Sequence, residues 1–244
     1  MRSAVWGVAI CGTMILVSLA SCRRPGNAER KFPKPRVSTT LMGGDWLASP
    51  IVAVGEVTNI ASFGEQTVDH LPPPTSPDVH KLYWCVGDFH VIAVVKGALR
   101  TPSRKYLWAT TFPRCELWPT DPQLVYRRFQ TRAWFLREEG MFLRPTFDYG
   151  TYGFLGLFAK WDDGPSLPAP QRLGAMLLTP AANTDNLEEY ADYLWNIGDI
   201  ACELLGKAEC TRRVRSLLSF DNPKLTQAGC NFLKGQLQED CRPK

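Results

Sequence analysis

The spacing of apolar and polar positions divides the chain into four stretches. Residues 4–20 hold no charged side chain, and residues 23–37 hold few large apolar ones. From residue 51 to about 158 apolar positions come in short runs, several with period two, which is the signature of half-buried strands. Residues 51–60 form a β-branched run. Residues 83–96 alternate, with Tyr83, Cys85, Phe89, Val91, Ala93 and Val95 on one face and Asp88, His90 and Lys96 on the other. Residues 105–111, 129–137 and 152–158 read as further strands, separated by loops such as Leu71-Pro72-Pro73-Pro74. From residue 184 onward the spacing becomes three-four. Asn186 is placed to cap a helix carrying Leu187, Tyr190, Ala191, Leu194, Ile197, Gly198, Ala201, Leu204 and Leu205, with Glu189 at the capping-box position and Gly206 as the stop. A second helix is expected over 209–220. A third starts at Pro223 and buries Leu225, Ala228, Phe232 and Leu233.

Short strands without helices between them, followed by helices without strands, predict an α+β chain. The expected architecture is an antiparallel β-barrel or sandwich followed by a small three-helix C-terminal unit. The expected organisation is a signal segment 1–21, a basic tether 22–40, a β domain 41–165, a connector 166–185 and a helical unit 186–241. The prolines and acids of Asp162-Asp163-Gly164-Pro165 and Pro168-Ala169-Pro170 suggest the connector.

The first residues have the layout of an export signal: Met1 and Arg2, then an uncharged run of 17 residues. The tetrad Leu19-Ala20-Ser21-Cys22 resembles the bacterial lipobox, in which small residues precede a cysteine that is cut free and acylated. The resemblance implies a membrane-attached lipoprotein with palmitate-type lipid on Cys22 and a location in the bacterial cell envelope. A cut before Ser21 by an ordinary signal peptidase and an uncleaved anchor helix are the other readings, since the run reaches the lower edge of a bilayer span. Arg23 stands where enterobacterial lipoproteins kept at the inner membrane carry Asp, which implies the outer membrane facing the periplasm. Arg23, Arg24, Arg30, Lys31, Lys34 and Arg36, against Glu29 alone, make the tether basic. Beside anionic lipid such charges gain about 1 kcal/mol each, although a plain soluble spacer has the same composition.

Two more resemblances bear on fold. Ile51-Val52-Ala53-Val54-Gly55-Glu56-Val57, Val91-Ile92-Ala93-Val94-Val95-Lys96-Gly97 and Ala133-Trp134-Phe135-Leu136 resemble strand phrases of netrin-like domains, the OB-type barrels related to tissue inhibitors of metalloproteinases. Those inhibitors use an amino-terminal cysteine on the metal; Cys22, on a tether and acylated by the lipobox reading, departs from that, so the resemblance implies a barrel and no inhibitory activity. Residues 220–233 resemble one unit of a HEAT-type repeat, and without a second copy they imply a helical hairpin.

The chain is 45% apolar with 8 Trp and 12 Phe, enough for a sizeable core. Its net charge of +4, or +3 once Arg2 is removed, is too small to indicate a nucleic-acid partner. Cysteine usage says more. Beyond Cys11 and Cys22 remain Cys85, Cys115, Cys202, Cys210, Cys230 and Cys241, an even count as an oxidising compartment requires. Pairing of Cys85 with Cys115, and of the other four among themselves, keeps each bridge inside one half; two separate buried thiols at 85 and 115 are the alternative.

Catalytic signatures are missing: no Gly-x-Ser-x-Gly, phosphate loop, His-Glu-x-x-His or Cys-x-x-Cys occurs. His80, Cys85, Asp88 and His90 are the candidate metal set, but alternation sends Cys85 to the opposite face from Asp88 and His90, and a site needs convergent ligands. Tyr126, Arg127, Arg128, Phe129, Arg132, Trp134 and Arg137 interleave bases with aromatics. In an exported chain this reads as a solvated basic face beside buried rings, with an anionic glycan or lipid surface as its functional version. The expected function is therefore a non-enzymatic binding or scaffold module without a cofactor, whose partner is an envelope protein or an anionic glycan. An envelope hydrolase or metal-binding protein is the alternative.

Overall fold

The computed structural model describes residues 32–33, 36, 42–68, 81–100, 104–111, 115, 131–148, 153–161, 167–180 and 184–241. All of these except 32 and 33 belong to one compact unit, Lys34–Lys244. A short helix α1 (Met42–Ala48) precedes six strands: β1 (Ile51–Thr67), β2 (Lys81–Lys96), β3 (Lys105–Thr110), β4 (Thr131–Glu139), β5 (Phe142–Pro145) and β6 (Phe154–Leu157). Helices α2 (Ala169–Leu177), α3 (Thr184–Leu205), α4 (Lys207–Leu217) and α5 (Pro223–Phe232) follow, and a π-helical turn Leu233–Leu237 continues α5. The fold is α+β, as the change of period predicts.

The sheet runs β1-β2-β3-β5-β4-β6, and an additional β1–β4 ladder closes five of its strands into a ring. That ladder is short, from Ile51↔Leu136 to Val54↔Ala133. The expected antiparallel sheet is in fact mixed: β3 and β5 run parallel at Lys105↔Phe142 and Tyr106↔Leu143. Parity is the reason. A ring with an odd number of strands cannot alternate direction all the way round, so one neighbouring pair must be parallel.

Bulges bend the long β1–β2 hairpin around the ring. The register skips from Val54↔Ala93 to Gly55↔Val91, leaving Ile92 as an extra residue on β2, and Val95 is extra between Val52↔Lys96 and Ala53↔Val94. Each bulge kinks its strand and increases the local twist, which a small barrel needs to close. Bulges also correct the expected single apolar face of β2. Cys85, Phe89 and Val91 face the ring interior, whereas Ala93 and Val95 pack in the layer between sheet and helices. One inserted residue sends the following side chains to the opposite face.

The two faces thus fill different cores. Ile51, Ala53, Phe89, Tyr106, Trp108, Trp134, Leu136 and Phe154 belong to the ring interior. Val52, Val54, Phe135 and Leu155 on the outer face pack with Leu173 of α2, Leu187, Leu194 and Ile197 of α3, and Val214 of α4. The residues 166–185 expected as a connector contain α2, with Leu173 and Leu177 buried. Its prolines sit in the first turn, where a missing N–H costs nothing. Helix α3 begins at Thr184, ahead of Asn186, and α4 at Lys207, ahead of Glu209. Helix α5 starts at Pro223 as expected, and Asn222, a residue not expected in that role, caps it: its Oδ1 accepts from the Leu225 N–H at 2.9 Å. Helices α1 and α2 therefore join the expected three.

Three cysteine pairs lie at disulfide distance: Cys85–Cys115 with Cα atoms 5.5 Å apart, and Cys202–Cys210 and Cys230–Cys241 each at 5.0 Å. Every pair joins residues of one half of the chain.

Candidate functional site

Where the β1–β4 ladder stops, the two strands part and a groove opens between them. Gly55, Glu56, Val57 and Thr58 of β1 form one wall, and Thr131 and Arg132 of β4 with Lys160 and Trp161 form the other, around a volume of about 500 Å³. Ile92, the bulged residue of β2, stands at its rim and is 47% exposed. Trp134 lies at the base, where its indole Nε1–H donates to the Gly55 carbonyl at 2.8 Å. An indole thereby takes the place of a ladder bond at the point where β4 turns away. The approach is close enough to require glycine: a Cβ on Gly55 would lie 2.5 Å from the His90 carbonyl oxygen and 2.9 Å from the Phe89 ring. Opposite, the Trp161 N–H donates to Thr131 Oγ1 at 2.7 Å, which ties the segment after β6 to the start of β4.

Among the described residues the groove carries two cations and one acid. Lys160 and Glu56 are exposed. Arg132 is half-buried with its guanidinium 5.6 Å from the Phe154 ring centre; burial pulls its pKa down, and the Glu56 carboxylate partly restores it. The aromatic residues offer no open stacking face. Trp134 and Trp161 are 2% and 8% exposed, and the Arg172 guanidinium lies 4.6 Å from the Trp161 ring centre.

Arg137 leaves the expected basic face altogether. It is buried with Arg144 in an ion network at the end of the ring by β5. Arg144 donates to Asp148 Oδ1 at 2.9 Å and to Glu139 at 2.8 Å, and stands 5.0 Å from the Trp84 ring centre. Arg137 donates to Asp148 at 3.2 Å and to the carbonyls of Pro145 and Thr146. Two buried cations thus share a fully buried carboxylate and a half-exposed one, the only economical way to keep such charges out of water. Burial, then the Asp148 carboxylate, hold the Tyr106 hydroxyl well above the usual phenol range. Asp148 also clips Arg36, accepting its backbone N–H at 2.9 Å on Oδ2 while its own N–H donates to the Arg36 carbonyl at 2.7 Å.

Of the candidate metal set, His80 lies outside the described residues, and the others disperse. Cys85 faces the interior and is bonded to Cys115. Asp88 bonds Lys105 and Asn59, which hold its carboxyl below the usual range. His90 Nε2 lies 2.9 Å from Thr58 Oγ1. Among the described residues no three of His, Cys, Asp and Glu gather as metal ligands. Cys22 and residues 126–129 lie outside the described residues. Among the described residues no helix is long and apolar enough to cross a membrane. Glu56, Thr58, Lys160 and Trp161 carry no motif, and only the placement of the β2 bulge would have pointed to them.

Compared with known proteins, the chain matches no protein family, no curated protein and no solved structure.

Proposed function

We propose that this chain is a lipid-anchored, non-enzymatic binding module of the bacterial cell envelope, with an OB-type barrel as its body and the groove between β1 and β4 as its binding site. The groove carries the reading: its volume lies within the range of about 300–1,000 Å³ usual for ligand sites, and its polar groups of both signs surround an apolar rim at Ile92. A five-strand ring closed through β1 and β4 supports the OB assignment. The Leu19-Ala20-Ser21-Cys22 tetrad supports the anchor, and the even set of paired cysteines suits an oxidising compartment.

The test joins address to site. In cells, Cys22→Ser should leave the membrane fraction or remain uncleaved, while the parent chain incorporates a labelled acyl chain. A photo-crosslinking side chain at Ile92 should capture one envelope component, and the same group at Trp195, 53% exposed on α3, should not. No acyl label removes the anchor; indiscriminate capture from both positions removes the groove.

A further inference from the structure

Among the described strands, the parting of β1 from β4 leaves more than a cavity, because a stretch of β1 edge has no ladder partner. Beyond Val54 the ladder with β4 is over, and β1 continues with β2 alone among the described strands. The Gly55 carbonyl meets the Trp134 indole, so it points toward the gap. Backbone groups alternate sides along a strand, which turns the N–H and C=O of Val57 the same way. No described strand covers them. Native sheets seldom leave an edge of this kind without a bulge, a charge or a cover. Here the covered side of β1 is bulged, and the open side is a groove bounded by Lys160 and Arg132.

We propose that this groove takes an extended peptide, which adds as a short strand to β1 at Gly55–Thr58 and places an acidic side chain toward Arg132 and Lys160. The proposal rests on the binding-module reading and names its ligand class. Main-chain bonds to Val57 provide attachment, and the cations select the side chain, the usual division of roles in strand addition. Among the described lining residues two cations stand against Glu56, a positive balance complementary to an acid. Asn59, at φ +50°, ends the usable edge, so the addition is a few residues long. An oligosaccharide suits the site less well, since sugars lie on open aromatic faces and both groove tryptophans are buried.

The test uses the full chain in detergent, with no membrane present, so that its outcome is independent of anchoring. The probes are the acetylated, amidated pentapeptide Thr-Val-Glu-Val-Thr, its counterpart with Lys in place of Glu, an N-methylated version of the first, and a heparin hexasaccharide. Hydrogen exchange at the Val57 amide and titration affinity are the readouts. The Glu peptide should slow Val57 exchange by about tenfold or more and bind about fivefold or more tighter than the Lys peptide, and Lys160→Glu should remove that preference. N-methylation should abolish protection. Absence of protection up to millimolar peptide, protection confined to another part of the chain, indifference to N-methylation or to the charge of the peptide, or protection by the hexasaccharide alone would each overturn it. A chain that binds peptide but fails to acquire lipid would keep this inference and lose only the anchor.

Discussion

The ring interior and the sheet–helix layer of the same molecule solve the packing problem differently. Inside the ring, a few large rings fill the space: Phe89, Tyr106, Trp108, Trp134 and Phe154 meet at centroid distances of 5.4–6.1 Å. One end of the ring is closed by the buried Arg137–Arg144–Asp148 network. In the sheet–helix layer the buried side chains are mostly aliphatic, among them Leu173, Leu194, Ile197 and Val214 of the helices and Val52, Val54 and Leu155 of the sheet. A closed ring has fixed backbone on all sides and leaves room for few, specific shapes. Helices can slide on a sheet by fractions of an ångström, so their layer accepts interchangeable aliphatic side chains.

The widest contrast should come from charge. Arg144→Ala leaves Asp148 buried with half its guanidinium partners, which should cost about 3–5 kcal/mol in denaturant unfolding. A loss under about 1 kcal/mol, the range of a surface pair, would mean that the network is solvated and the ring end open. Covalent closure should separate the halves less. Replacing Cys85 and Cys115 by Ala opens a 30-residue loop and should remove about 3.6 kcal/mol, against about 2.5 kcal/mol for Cys202 and Cys210, which are 8 apart. Equal losses would show that chain entropy does not set the difference. The smallest effect compares two glycines. In Gly55→Ala the new methyl meets the backbone oxygen of His90 at 2.5 Å, whereas in Gly198→Ala it meets the Phe232 ring at 2.3 Å. Overpacking costs about 1–3 kcal/mol, and Gly55→Ala should lie at the upper end because a carbonyl in the closed ring cannot turn aside as the Phe232 side chain can. The reverse order in thermal melts would make the helix layer the stiffer of the two.

The same contrast explains what the sequence disclosed. Leu187, Tyr190, Ala191, Leu194 and Ile197 keep one helical period, and all are buried in α3. The stop at Gly206, with φ +78°, is local chemistry and equally readable, whereas the expected cap Asn186 lies inside α3, which starts at Thr184. In β2 the period of two holds only until Ile92, where the bulge carries Ala93 and Val95 to the other face. Whether a strand bulges depends on its partner, which no local window contains. Helices α1 and α2 and strand β5 are too short for periodicity to be decisive. Arg137 looked like surface because charge ordinarily means exposure, and its partners Arg144 and Asp148 are brought to it by the turn between β4 and β5. The groove was least legible, since it exists only where a ladder ends.

The clip between Arg36 and Asp148 gives the fold a mechanical character. Tension arriving along the chain from its N-terminal side meets two main-chain bonds at residue 36 before it can reach β1. From Asp148 the load passes through guanidinium groups into Glu139 of β4 and the Thr146 carbonyl after β5, so the β4–β5 corner shares it before β1 is pulled.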